Sequence, residues 1–361
     1  MKRRDFLKSA GAVGGAGLMA GLPLAAFAKT SLKFDSYLTE NGGPSWIDRW
    51  FFSELEKRTN GEVSMRYYWA GSLNKVGEHL GAVRDGTSEC TLISPGYYQA
   101  EVPATRGLEW YFRVERADTL QLVCRDVYEK FEPLRVEWEQ RHRAKILYWT
   151  NFNYAPLVMR NKVNSLEDIK GKRIRGYGVA TDVIERLGGI AVPMAAGEVY
   201  QALERGVLDG VYGFDFVTAV AYKLHEIAPH FCEIGDGAHA PAATVMNMRT
   251  WQGLSTEAQK VATDLADEIY NGKFTEIYEE VLTGYVKQAL AEGVQFGSLS
   301  DEEKARAKAM IQPAQVENWV QNVAGPNRID GAEMQRVVEE AIARHAPNGR
   351  MKRPDELAAA L

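Results

Sequence analysis

The chain has 361 residues, 45% of them hydrophobic and 25% charged, with a net charge of −5. That length can bury a large core and divide into two domains. A mildly acidic chain without basic blocks is a poor match for nucleic acid or for an anionic membrane surface, so an anionic ligand would have to be held by local groups.

The N-terminus reads Lys2-Arg3-Arg4-Asp5-Phe6-Leu7-Lys8, then a glycine- and alanine-rich apolar stretch that closes on Ala26-Phe27-Ala28. A basic start, an apolar middle and a small-x-small end make a secretory signal. The paired arginines before Phe-Leu-Lys point to the twin-arginine route, which carries folded proteins. Residues 1–28 are read as that signal, and the mature chain as periplasmic. Its removal leaves 39 basic against 47 acidic residues, a net charge of −8. No second apolar run is long enough to cross a bilayer, so no stable membrane insertion is expected after cleavage.

From there strand-like and helix-like runs alternate, the pattern of an α/β chain. Residues 32–37 read as a first strand, and Pro44-Ser45 opens a helix over 46–59 that Asn60-Gly61 stops. Over 62–68, Val63, Met65 and Tyr67 alternate with Ser64 and Arg66, as in a half-buried strand. A helix over 75–84 and a strand over 89–93 complete this series. A second series places strands at 146–150, 157–160 and 173–175, a helix over 179–187, a short strand at 192–194 and a helix over 197–205. The two series share an echo: Ala82-Val-Arg-Asp-Gly86-Thr-Ser-Glu89 and Ala202-Leu-Glu-Arg-Gly206-Val-Leu-Asp209 carry alanine, an aliphatic residue, glycine and an acid at equal spacing. Taken with the repeated strand–helix order, the echo favours two similar lobes, and two facing α/β lobes make a cleft beyond the carboxyl ends of their strands.

Residues 256–291 keep helical spacing of apolar positions, with Ser255 or Thr256 as cap and Gly293 as stop. Such a helix runs on the order of 50 Å, longer than one lobe, and Gly272 marks a bend near its middle. From Asp301 on, the chain is helical and charged.

Enzyme signatures are scarce. There is no HExxH, no GxSxG, no phosphate-binding loop and no cysteine pair at metal spacing. Cys90, Cys124 and Cys232 lie far apart; one bridge stays open chemically, and buried free thiols are the expectation. Gly176-Tyr177-Gly178 imitates a dinucleotide fingerprint, but Thr181 stands where the third glycine belongs, so no cofactor is assigned. The same junction is otherwise informative. Arg175 ends a strand just before a helix N-terminus, and a guanidinium fork beside free backbone N–H groups suits a carboxylate.

The run Asn164-Ser-Leu-Glu-Asp-Ile-Lys-Gly171-Lys-Arg-Ile-Arg175, with Leu187-Gly188, Pro193-Met194, Gly197-Glu198-Val199-Tyr200-Gln-Ala-Leu203 and Gly206-Val-Leu-Asp209-Gly210, resembles the solute-binding proteins of tripartite ATP-independent periplasmic (TRAP) transporters, the DctP family. Lys57-Arg-Thr59-Asn60-Gly61, Gly71-Ser72-Leu73 and Ala82-Val-Arg-Asp-Gly86 agree. The resemblance implies a two-lobed Venus-flytrap fold with a long helix across both lobes. It also implies a small organic acid as ligand, TRAP membrane permease subunits as partners, and Arg175 as the residue that salt-bridges the ligand carboxylate. Lobe I is read as 29–152 with roughly 238–268, and lobe II as 153–237 with roughly 269–361.

Departures from the family pattern narrow the ligand. Gly213 stands where sugar-acid binders have asparagine, Ala155 where they have a second arginine, and Ala196 where an aromatic would sit. Members that bind oxoacids through a metal have acids where this chain has Val211 and Ala240, so neither a sialic-acid-like ligand nor an obligate metal is expected. Around Arg175 the ligand-binding candidates are Tyr37, Ser94, Tyr97, Tyr98, Asn151, Asn153, Tyr177, Tyr212, Phe214 and Asp215, most of them just past strand ends. The competing reading is an exported redox or metal enzyme, since the twin-arginine route also carries folded cofactor proteins.

Overall fold

The computed structural model describes residues 30–361; the signal and its cleavage at Ala28 lie outside them. Strand β1 (Thr30–Asp35) is followed by helix α1 (Ser45–Arg58), β2 (Val63–Tyr68), α2 (His79–Asp85) and β3 (Cys90–Ile93). Helices α3 (Ala117–Lys130) and α4 (Glu132–Val136) lead to β4 (Ala144–Asn151). The next series is β5 (Leu157–Met159), β6 (Arg173–Gly176), α5 (Val179–Arg186), β7 (Ile190–Pro193), α6 (Val199–Glu204), β8 (Gly210–Val211), α7 (Phe216–Ala221) and β9 (His230–Glu233). After β10 (Pro241–Asn247) come α8 (Met248–Gly253), α9 (Thr256–Glu268), α10 (Phe274–Ala291) and β11 (Gln295–Ser298). Helices α11 (Asp301–Trp319), α12 (Gly331–His345) and α13 (Pro354–Ala360) close the chain.

The strands form two sheets, ordered β2-β1-β3-β10-β4 and β11-β9-β5-β8-β6-β7. Each sheet anchors one lobe. The chain leaves the first sheet after β4 and returns through β10, and the Phe152 N–H donates to the Ala240 carbonyl (3.0 Å) where the two crossings meet. The helix expected over 256–291 is one run bent at Gly272, where φ reaches 125°. Its first half, α9, packs on α1 and β4, and its second half, α10, packs on α7, so it backs both lobes. Helix α11 lies against α5 of the second lobe, whereas α12 lies against α3 of the first.

The sequence echo is a repeated joint. The Thr87 and Val207 N–H groups donate to the Ala82 and Ala202 carbonyls, each at 3.0 Å. Glu89 then accepts the Lys33 backbone N–H at 2.8 Å, and Asp209 accepts the Arg173 backbone N–H at 2.8 Å. Each acid thus fastens the neighbouring parallel strand, the middle of β1 in one lobe and the start of β6 in the other.

Strand ends shift by about two residues, as for β1, β4 and β7, and the largest change is the helix expected from Lys75, which begins at His79 because the Lys75 N–H is taken by the Glu78 carboxylate (2.7 Å) in a turn. The three cysteines are free and buried.

Candidate functional site

Arg175 lies between two parallel partners, paired with Val192 of β7 and Val211 of β8. This fixes its side chain at the carboxyl end of the second sheet, where it is fully buried. Nε donates to the Met194 carbonyl (3.0 Å), Nη1 to the carbonyls of Tyr212 and Gly213 (3.4 Å each), and Nη2 to the Tyr97 hydroxyl (3.4 Å). The Tyr177 and Phe214 rings hold the guanidinium at 4.7 and 4.5 Å from their centroids. Every one of these partners is neutral. Arg173, two residues earlier, is exposed and grips the Asp209 carboxylate instead, through Nε at 3.0 Å and Nη2 at 2.9 Å.

The first lobe supplies the opposite wall. Tyr97 stacks on Tyr177 across the cleft with centroids 4.3 Å apart, and Tyr37 meets Tyr97 edge-on at 5.1 Å. The Tyr177 hydroxyl reaches Ser94 Oγ at 3.0 Å. Burial raises the Tyr97 hydroxyl, and Arg175 pulls it back in part. Beneath this layer Gly178 (φ 55°) faces Gly96; a Cβ at Gly178 would lie 2.8 Å from the Gly96 Cα, so the two backbones touch where a side chain would hold the lobes apart. On another edge the Gly43 N–H donates to Thr218 Oγ1 at 2.8 Å.

A cavity of about 10 Å³ remains between these walls, room for about one water. A ligand entering here must part the lobes or displace the tyrosine stack. Of the sequence candidates, Tyr37, Tyr97, Arg175, Tyr177, Phe214 and Asp215 line the cavity, and Ser94 touches it through Tyr177. Asp215 caps α7, accepting the Thr218 N–H at 2.9 Å through Oδ1, while its Oδ2 has no partner. Burial lifts its pKa to about 7.

Four candidates do not reach the cavity. Tyr98 is buried in the core of the first lobe. Asn151 donates to the Ala117 carbonyl and to Gln121 (2.9 Å each), and its own oxygen accepts the Asn153 backbone N–H at 2.7 Å, so the Asn151 side chain braces the crossing while the buried Asn153 amide has no partner among the described residues. The residue between them, Phe152, faces the cleft instead, as alternation in an extended segment requires. Tyr212 turns behind the sheet, with its hydroxyl on Asp236 and its ring near Tyr111. Gly213, at φ 78°, breaks the alternation and lets Phe214 face the cleft.

Two of the N–H groups at the α5 N-terminus are already engaged. The Ala180 and Thr181 N–H groups bond to the carbonyls of Tyr177 and Gly178, and Gly178 borders a neighbouring cavity with Arg106 and Glu109. Ala196 and Gly213, marked in the sequence as departures from the family pattern, also line the cavity, and Leu38, Phe152 and Thr218 complete it without having been signalled by sequence. Thr218 alone had a readable cue, its place three residues after a helix-capping Asp. Among the described residues no group of three His, Cys, Asp or Glu side chains stands together as a metal site.

The family model for bacterial extracellular solute-binding proteins, family 7, matches residues 49–322. The chain belongs to this family. The family 7 protein also carries a twin-arginine translocation signal, matched over residues 1–20, and is exported to the periplasm. It is 23% identical over 322 residues to a solute-binding protein of Chromohalobacter salexigens, covering 87% of this chain and 93% of that one. It is 24% identical over 314 residues to the C4-dicarboxylate-binding periplasmic protein DctP of Rhodobacter capsulatus, covering 83% and 90%. A marine-metagenome TRAP solute-binding protein specific for aromatic acids, crystallised with 3-hydroxybenzoate, has the same two-lobed fold, with a TM-score of 0.78 at 23% identity over 88% of this chain and 99% of that one. The family is one of solute binders, which lends no support to the exported redox or metal enzyme.

Proposed function

We propose that this family 7 protein captures a small organic acid in its interlobe cleft, binds it by the carboxylate, and presents the closed complex to a TRAP membrane permease. One observation carries the reading: the guanidinium of Arg175 is fully buried at the cleft with four neutral partners. A desolvated charge without a counter-charge is costly, and an anionic ligand offsets that cost. Tyr37, Tyr97, Tyr177 and Phe214 then enclose the apolar body, with Ser94 fixing Tyr177. Tyr98, Asn151, Asn153 and Tyr212 support these walls from behind.

The lobes are divided at the two crossings, 152/153 and 237/238, with the bend at Gly272 as the third. Closure stacks Tyr97 on Tyr177, so the shut form exists as one surface that a permease can read. The ligands named for two of the relatives, a C4-dicarboxylate and 3-hydroxybenzoate, have the carboxylate in common.

The test is a thermal-shift panel of organic acids on the mature protein, with mass spectrometry of any acid released from it on unfolding. An acid at about 100 times its Kd adds ~2.7 kcal/mol of stability, a clear rise in Tm. Neutral analogues, with an amide or an ester in place of the acid, should give no rise. A rise with the neutral analogues and none with the acids would refute the reading.

A further inference from the structure

The cleft holds two buried groups of opposite charge type that leave each other alone. Arg175 and Asp215 line the same cavity, yet neither is among the other's hydrogen-bond partners. Asp215 is 1% exposed, and its Oδ2 is an acceptor with nothing to accept. Its Oδ1 is occupied by the Thr218 N–H, so the carboxyl is fixed in rotation by its capping role and offers the second oxygen permanently. Nearby, the Tyr37 hydroxyl comes close to Ser94 but completes no hydrogen bond. The other polar lining groups have partners: Tyr97 meets Arg175, Tyr177 meets Ser94, and Thr218 meets Gly43. Arg175 is the sole basic side chain in the lining and Asp215 the sole acidic one.

Resting on the carboxylate-binding role of Arg175, we infer that Asp215 is a specificity-determining residue and that the solute is a monocarboxylate bearing a hydrogen-bond donor, a hydroxyl or an amino group, away from its acid group. A ligand of this kind puts its anion on the guanidinium and its donor on Asp215 Oδ2, and both buried groups are then satisfied. A dicarboxylate is the poorer fit where Asp215 is ionised, above about pH 7: its second anion finds no other cation in the lining, and one of the two facing carboxyl groups must then take up a proton. An unsubstituted acid binds by one end and leaves the Asp215 oxygen orphaned. Burial has already pushed the Asp215 pKa to about 7, against the opposing hydrogen bond from Thr218.

The experiment is calorimetry on the mature protein with two matched series. One is benzoate, 3-hydroxybenzoate, 3-aminobenzoate and isophthalate; the other is butyrate, 4-hydroxybutyrate, 4-aminobutyrate and succinate. In the series that binds, the hydroxy or amino member should be at least about tenfold tighter than both the parent acid and the dicarboxylate, the effect of a hydrogen bond to a charged group. The hydroxy and amino arms tell a neutral donor from a cationic one. Asp215→Ser keeps a capping oxygen for the Thr218 N–H but draws the acceptor back, and should shrink that margin to about twofold. Asp215→Asn should raise the affinity for the dicarboxylate relative to the other members.

If the parent acid or the dicarboxylate binds as tightly as the donor-bearing acid, the inference is overturned while the role of Arg175 stands. An unchanged margin in Asp215→Ser also overturns it. If neither series binds, the carboxylate reading falls and takes this inference with it.

Discussion

Replacing Arg175 by alanine is the most direct perturbation of the cleft. The guanidinium is fully buried and reaches three backbone carbonyls, the Tyr97 hydroxyl and two aromatic faces. With ligand bound, its removal leaves a carboxylate shut inside an aromatic box with no cation. Truncating one partner of a desolvated charge pair costs ~2–5 kcal/mol, roughly 30-fold to several-thousand-fold in affinity. Without ligand the sign is different. The change removes a buried charge that has no counter-charge but also orphans the carbonyls of Met194, Tyr212 and Gly213. These effects oppose each other, and the ligand-free Tm should stay within about 3 °C of wild type.

Arg175→Lys should lose at least about tenfold, because an ammonium cannot hold the Met194 carbonyl and a carboxylate in one plane. Arg173→Ala is the control: exposed and paired with Asp209, it should leave affinity within about twofold. Calorimetry with an acid that the wild type binds reads all three. Near-wild-type affinity in a folded Arg175→Ala protein would refute the reasoning.

Saturating ligand should compact the protein, since the lobes join through narrow crossings; X-ray scattering curves that coincide with and without ligand would contradict this. Gly178→Ala puts a Cβ 2.8 Å from the Gly96 Cα at a left-handed backbone position. It should weaken binding and leave the ligand-saturated radius of gyration near the open value, and a normal closed radius would count against the contact. Asp215 has a folded-state pKa of about 7, raised by burial above the ordinary ~3.9 of an unfolded chain. The folded protein therefore keeps a proton that the unfolded chain has lost, and ligand-free stability falls as pH rises from about 4 through about 7. Asp215→Asn should flatten part of that fall in Tm scans from pH 5 to 8; an identical slope would remove Asp215 from the account. Treatment with EDTA should leave acid binding unchanged, and reversible loss would reveal a metal in the site.

The sequence marked what local chemistry marks. Helix stops at Asn60-Gly61 and Gly206, the alternation over 62–68 and the acid after each echo glycine all reappear as joints and strands. Strand β10 (Pro241–Asn247) was not marked, because it opens on proline and two alanines and is buried throughout, so it shows no alternation, and its place between β3 and β4 is a long-range fact. At the site, Arg175 was legible from its place at a strand end, and the aromatics from theirs beside glycines. The asparagines were chosen for polarity. The Asn151 amide instead serves the crossing, holding the Asn153 backbone N–H, and the apolar Phe152 between them reaches the cleft. Ala196 and Gly213 were legible only through the family resemblance, as positions that lack a larger side chain, whereas Leu38 and Phe152 carry no such mark.

The position of β10 has a consequence for synthesis. The first sheet needs it as an inner strand, yet the ribosome must build the whole of β5 to β9 before reaching it. At about 5–20 residues per second, the edge of β4 waits on the order of five to twenty seconds for its partner, and that of β3 on the order of seven to thirty. Exposed edges of that kind invite pairing with other chains. The twin-arginine signal places this interval in the cytosol, since that route passes finished folds. Three unpaired thiols suit such a birthplace: Cys90, on the waiting strand β3, needs no oxidant before the molecule is ready to leave.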